Sequence, residues 1–155
     1  MSIGISTPLP AYKVNAAVTA SKAEELGFDS IWYAEHPVMP VHTTSPFAAS
    51  ADGVIPETYA HFADPFIALA QASGATSTIK LATGITLIPE RNPLVLAKTV
   101  STLDLFSGGR FILGVGAGWL RDSRRPRAGT AQRVAPAIRP LRAKSGHGPL
   151  TASTL

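Results

Sequence analysis

The residues that could do chemistry begin at the end of an aromatic-rich stretch, Phe28–Ala34 (FDSIWYA), where Ala34-Glu35-His36-Pro37 sets a carboxylate beside an imidazole. In parallel α/β folds the carboxyl ends of strands carry the active site, so His36 stands where a catalytic imidazole belongs. Imidazole gives or takes a proton near neutral pH, which suits chemistry at a carbonyl, an alcohol or a flavin-like ring. Position alone leaves open the alternative of a solvated or capping histidine. His42 and His61 follow in the same connection, at spacings of six and nineteen that match no compact metal motif, so no metal site is expected. The chain has no Cys, which removes disulfides, thiolate nucleophiles and cysteine-ligated metals together and fits a reducing, cytoplasmic setting. Neither a G-x-S-x-G elbow nor a G-x-x-x-x-G-K-[ST] loop occurs.

Glycines supply the second set of candidates. Gly114-Val115-Gly116-Ala117-Gly118 ends an apolar run, but its spacing is G-x-G-x-G and not the dinucleotide fingerprint G-x-G-x-x-G. No Asp or Glu follows Asp122 to hold a ribose, and no clear amphipathic helix follows to face a phosphate. The plainer reading is that small residues let a strand end approach a ligand or a neighbouring backbone closely. Gly84 interrupts the apolar stretch Ile79–Ile88, which suggests a bulge or a place where a flat ligand lies against the backbone, with simple tolerance of glycine as the alternative.

Alternating strands and helices must position these groups. Ser2–Ser6 reads as a first strand, ended by Pro8 and Pro10. From Ala11 a helix is expected, with Ala16, Ala20, Ala23 and Leu26 on one face and Gly27 at its end. Phe28–Ala34 is the second strand. Asp64-Pro65 and Asn92-Pro93 are helix starts, each pairing a capping side chain with a proline suited to the first turn. Phe66, Leu69, Ala70 and Ser73 form the first stripe, and Leu96, Val100 and Leu103 the second, stopped by Ser107-Gly108-Gly109. Ile79–Ile88 and Arg110–Val115 are the third and fourth strands. Such alternation argues for parallel strands, either in an open doubly wound sheet or in half of an eight-stranded β/α barrel. The segment Glu35–Ala63 is too long for a plain connection.

Charge divides the chain. Residues 1–120 carry six Lys and Arg against nine Asp and Glu, a net of −3, whereas residues 121–155 carry eight against one, a net of +7. All eleven aromatic residues lie in the first part. The longest apolar run, Phe111–Leu120, is ten residues with three glycines, too short to cross a bilayer, so no membrane partner is expected.

The string RNPLVLAKTVSTLDLFSGGRFILGVGAGWLRD, Arg91 to Asp122, resembles the luciferase-like monooxygenase family, in its coenzyme F420-dependent oxidoreductase branch. AEELGFDSIWYAEH (Ala23–His36) and DPFIALAQASGATSTIKLATGITLIP (Asp64–Pro89) agree with it in order and spacing. The resemblance implies a (β/α)8 TIM-type barrel, with residues 1–122 as its N-terminal half of four parallel strands with helices. It implies coenzyme F420, with FMN as the alternative, at the carboxyl ends of the strands, exchanging a hydride with a small-molecule substrate. His36 matches the family's active-site histidine near the reactive part of the ring, with Glu35 as the second catalytic candidate. Gly84, Ile85 and Thr86 match the strand-three bulge that supports one ring face. Asn92, Gly114, Gly116, Gly118 and Trp119 match strand-end positions lining the pocket.

After Asp122 the motifs stop, and residues 123–155 form an Arg/Pro-rich tail in which no strand pattern is visible and disorder is expected. Such composition is what a GC-rich gene gives when read out of frame, so a frameshifted or truncated half-barrel of impaired activity is expected. The competing reading is a basic tail that binds an anionic partner, with nucleic acid the less favoured one. Four strands of an unclosed barrel leave two open edges, through which homodimerisation is expected.

Overall fold

The expected helix starts form as their side chains dictate. A computed structural model describes residues 1–8, 14–39, 46–47, 50–118 and 152–154, in the order β1 (Gly4–Thr7), α1 (Ala16–Glu25), β2 (Ser30–Tyr33), α2 (Pro65–Ala75), β3 (Lys80–Thr83), β4 (Thr86–Leu87), α3 (Pro93–Phe106), β5 (Phe111–Gly116) and β6 (Ala152–Thr154). Asp64 Oδ1 accepts from the backbone N–H of Phe66 and Ile67 at 2.9 and 3.2 Å. Asn92 Oδ1 accepts from Leu94 and Val95 at 3.0 and 3.2 Å. Asn15 caps α1 by accepting from Val18 at 3.2 Å. Gly27, at φ 82°, ends α1 in the left-handed conformation.

Burial follows the expected stripes with two departures. Ala16, Ala20 and Ala23 are buried, but Leu26 is 65% exposed because α1 stops at Glu25 and Leu26 is already the capping residue. In α2 the buried set is Pro65, Phe66, Ala68, Leu69, Ala72 and Ser73, and Ala70 faces outward.

Every strand pair is parallel, and the sheet order is β1-β2-β3-β5-β4, with β6 on β5. With β3 and β4, which both pair with β5, counted as one interrupted strand, strands adjacent in sequence are adjacent in space. No reversal of order creates the switch point of a doubly wound sheet. Right-handed crossovers, the rule for parallel units, then put every helix on one face. Accordingly α1 packs on α2 and α2 on α3, and the open-sheet alternative is excluded in favour of a partial barrel. Between sheet and helices lie Ile31, Tyr33, Leu81, Phe111 and Leu113 against Phe66, Leu69, Leu96, Val100 and Leu103. Each such side chain contributes about 1.5–3 kcal/mol by leaving water. The registered residues Trp32, Ala82 and Ile112 belong to the opposite, barrel-interior face.

The expected third strand is not continuous. Leu81 pairs with Phe111 and Thr86 with Val115, so one strand advances five residues while its neighbour advances four. The extra residue is a bulge at Gly84–Ile85, joined by a cis peptide bond, and it divides Ile79–Ile88 into β3 and β4. The other strands form within their expected spans to within a residue or two.

Two polar clasps close the amino ends of the strands. Arg110 donates from its guanidinium to the carbonyls of Ser107, Ile79, Ser73 and Thr76 and to Thr76 Oγ1, at 2.7–3.2 Å. The Glu24 carboxylate on α1 accepts from the N–H groups of Ser77, Thr78 and Ile79 and from Thr78 Oγ1. These bonds, those of Ile79 first, lower its pKa to about 2.

The Arg/Pro-rich segment falls mostly outside the described residues. Ala152–Thr154 departs from the expectation of no strand: it runs parallel to β5, pairing Leu113 with Ala152 and Val115 with Thr154. Val115 also pairs with Thr86, so β6 takes the far edge of β5, whose unpaired N–H and C=O groups are a template for any strand. Of the two edges expected to be open, the outer edge of β1 is the one without a strand neighbour among the described residues.

Candidate functional site at the carboxyl ends of the strands

His36 lies three residues beyond Tyr33, the last residue of β2, and is half-buried. Its imidazole stands 5.1 Å from the ring of Tyr59 and 5.8 Å from that of Phe62, measured between centroids. Tyr59 belongs to a 3-10 turn at Glu57–His61 and contacts Phe62 and Phe47 in turn, at 4.8 and 5.0 Å. The long connection after β2 thus returns to wall the histidine with aromatic rings. Burial lowers the His36 pKa below its ordinary 6.5. The ring is neutral at pH 7, with one nitrogen a donor and the other an acceptor.

Glu35 is buried, its side chain 1% exposed. One oxygen accepts from Leu87 N–H at 3.0 Å and the other from Arg91 Nε at 2.7 Å, with Arg91 Nη2 2.6 Å away in an ion pair. Arg91 Nη2 also donates to Asp64 Oδ2 at 2.7 Å, and its guanidinium lies 4.7 Å over the Phe66 ring. Burial pushes the Glu35 carboxyl above its ordinary value, opposed by Arg91 and by Leu87 N–H. For Arg91 burial works against the charge, but Asp64 and Glu35 together raise its pKa. Arg91 and Asp64 are the charged residues that sequence reasoning missed. Both immediately precede or form an X-Pro helix start, and both starts follow strand ends at the same rim.

The glycines divide by what they touch. A Cβ on Gly114 would overlap the carbonyl oxygen of Thr83. That carbonyl lies close because Thr83 Oγ1 donates to Gly114 O at 2.8 Å and accepts from Gly114 N–H at 3.0 Å. Gly114 therefore serves the approach of two backbones. Gly116 faces the Ile85 side chain, and a Cβ on Gly118, at φ 80°, would lie 3.5 Å from Leu87. Gly84 abuts Trp32. Gly84, Ile85, Thr86, Gly116 and Gly118 are thus brought together around one strand end, with Glu35 bonded to Leu87 beside them. Asn92 is exposed and its Oδ1 is engaged as the α3 cap. Trp119 lies outside the described residues.

Thr86 Oγ1, one residue past the bulge, is buried with no hydrogen-bond partner among the described residues. Such a hydroxyl costs about 1–3 kcal/mol unless a ligand atom or water satisfies it. Among the described residues no three His, Asp or Glu side chains are grouped to hold a metal, and no helix is long and apolar enough to cross a membrane. A neutral imidazole, an aromatic wall and a bulge opened by a glycine are suited to a flat ring and to proton exchange beside it.

The chain is similar to several known proteins in sequence and in fold. An uncharacterised protein of Mycobacterium tuberculosis (strain H37Rv) is 38% identical over 110 residues, covering 70% of this chain and 39% of that protein. The chain spans about two-fifths of the length of that relative. The coenzyme F420-dependent tetrahydromethanopterin reductase of Methanopyrus kandleri superposes with a TM-score of 0.53 at 30% identity, over 76% of this chain and 27% of the reductase. The oxygenating constituent of 3,6-diketocamphane monooxygenase from Pseudomonas putida, solved with FMN, shares the fold with a TM-score of 0.60 at 21% identity, over 97% and 44% of the two chains. The family model described as luciferase-like monooxygenase matches residues 6–142, running past the Asp122 at which the motifs stop. With most of its length under that match and its strands in barrel order, this chain belongs to the luciferase-like monooxygenase family.

Proposed function

We propose that this chain supplies the ring-facing half of a flavin- or deazaflavin-dependent oxidoreductase, taking coenzyme F420 in preference to FMN and serving hydride exchange with a small-molecule substrate. The observation that carries the reading is the one-residue bulge at Gly84–Ile85 set against Gly116, at the same rim as His36. The fit of the residues present to such a group is supported by Thr86 Oγ1, a buried hydroxyl without a partner among the described residues, which a polar atom of a bound group would satisfy. When bound, the ring supplies the centre that gives or receives the hydride. His36, neutral at pH 7, donates or accepts the accompanying proton at a substrate oxygen. Tyr59 and Phe62 keep water from that imidazole, and Ile85 and Gly116 hold the ring edge. The cysteine-free composition suits the cytoplasm, and the outer edge of β1, without a strand neighbour among the described residues, is the surface through which two copies would pair.

Fluorescence titration of the full chain with F420 and with FMN tests the reading. Saturable quenching is expected at lower concentrations of F420 than of FMN. His36→Gln is expected to keep affinity within about threefold while hydride exchange falls about 10²–10⁴-fold. Absence of binding by either compound at millimolar concentration would refute it.

A further inference from the structure

The charged series Asp64–Arg91–Glu35 joins three segments that end at one rim: the start of α2, the approach to α3, and the residue beside His36. Through Leu87 N–H it also reaches β4, directly after the bulge. We propose that this series is the positioning element of the site, fixing His36 relative to Gly84–Thr86. That a redox ring lies between the two rests on the functional reading above; the fixing itself does not.

Both Glu35 oxygens are engaged, so the backbone at Glu35 and His36 cannot turn without breaking charge-assisted bonds to Leu87 and Arg91. Arg91 is itself held from two further sides, by Asp64 Oδ2 and by the Phe66 ring. The other Asp64 oxygen caps α2, which sets the direction of that carboxylate from the helix start. Asp64 and Phe66 therefore hold one guanidinium from the start of α2, and it in turn fixes the carboxylate next to the imidazole. A buried ion pair adds little net stability over apolar packing of the same shape, so stability alone is a poor reason for it. Fixed geometry is the better one, because chemistry at a bound ring loses rate steeply when a group is misplaced by about 1 Å. Arg110, equally well bonded at the opposite ends of the strands, uses carbonyls and a hydroxyl and no carboxylate.

Full-length Glu35→Gln, Arg91→Lys and Asp64→Asn variants are compared with Arg110→Lys by NMR, urea unfolding and F420 titration. The three rim variants are expected to shift the His36 ring signals and weaken its NOEs to Tyr59. They are also expected to speed Leu87 amide exchange about tenfold relative to Ile31, and to weaken F420 about tenfold. Arg110→Lys is expected to lower global stability and leave all four unchanged. Asp64→Asn is the strictest arm, since it touches neither Glu35 nor Leu87 and keeps Oδ1 as the cap. It and Arg91→Lys carry the comparison if Glu35→Gln does not fold. The proposal is overturned if the rim variants lose stability while His36 signals stay in place and Leu87 exchange rises only in step with Ile31. If the unmodified chain binds neither F420 nor FMN, the functional reading fails, and the His36 and Leu87 signals still decide the positioning role.

Discussion

Gly114→Ala separates a glycine kept for backbone approach from one kept for a ligand. A Cβ at this position would overlap Thr83 O and lie 3.3 Å from Thr83 C, atoms of the paired strand that cannot rotate away. Relief requires β3 and β5 to spread, which strains the core by about 1–3 kcal/mol. Spreading also lengthens the reciprocal bonds between Thr83 Oγ1 and Gly114, now 2.8 and 3.0 Å, at about 1 kcal/mol each. The expected loss is about 3 kcal/mol, a large part of an ordinary domain's 5–15 kcal/mol. With an m-value of about 2 kcal/mol/M, the urea midpoint falls by about 1.5 M. Gly116→Ala meets a side chain and no backbone, overlapping Ile85 Cδ1 and lying 3.2 Å from its Cγ1, and a rotamer change costs about 1 kcal/mol. Urea unfolding followed by circular dichroism distinguishes the two. A Gly114→Ala midpoint within about 0.3 M of the parent, or an equal loss in both variants, would refute the argument.

Arg110→Ala removes five donated bonds from one clasp and is expected to cost about 3 kcal/mol in the same assay. Glu24 titrates at about 2 in the folded chain against an ordinary 4.5, so its contribution is present above pH 4.5 and fades as pH falls toward 2. Glu24→Gln is expected to flatten that acid limb and to cost about 1–2 kcal/mol at pH 7, a figure reduced for its partial exposure. Tyr33 donates its hydroxyl to Ala16 O at 3.0 Å, and burial pushes it up to about 12 from 10.0. Its contribution is therefore full below pH 10 and lost between pH 10 and 12. Tyr33→Phe should remove that alkaline loss, read from melting temperature against pH, while costing about 1 kcal/mol near neutrality.

Much of this fold was legible because local rules and tertiary packing agree. Asp64-Pro65 and Asn92-Pro93 begin helices in the sequence and in space, and Gly27 ends one. Leu96, Val100 and Leu103 form a buried stripe as their spacing requires. Strand order was not legible, since alternation alone fits a doubly wound sheet as well as a barrel; the resemblance selected between them and the register agrees. The division of Ile79–Ile88 was foreshadowed by Gly84, but its one-residue size appears only against β5. At the candidate site, His36 was offered by its place after a strand and Gly84 by its interruption of an apolar run, whereas Ile85 and Thr86 came only from the family resemblance. Arg91, Asp64, Tyr59 and Phe62 were not legible as site residues, because their roles depend on contacts across 27 to 56 positions of chain or on the return of a long connection. The Gly114 role was visible only as an alternative, because a ligand and a neighbouring carbonyl demand the same missing Cβ.

The central claim is that the bulge and the imidazole face one ring at one rim. Titration of isotope-labelled chain with F420, followed residue by residue through amide and imidazole shifts, tests it most directly. The account predicts saturable shifts concentrated at His36, Gly84–Thr86, Gly116 and Gly118, with Arg110 and the Glu24 clasp undisturbed. Saturable shifts centred on those two clasps, or no shift at His36 and Gly84–Thr86 at millimolar F420, would contradict it.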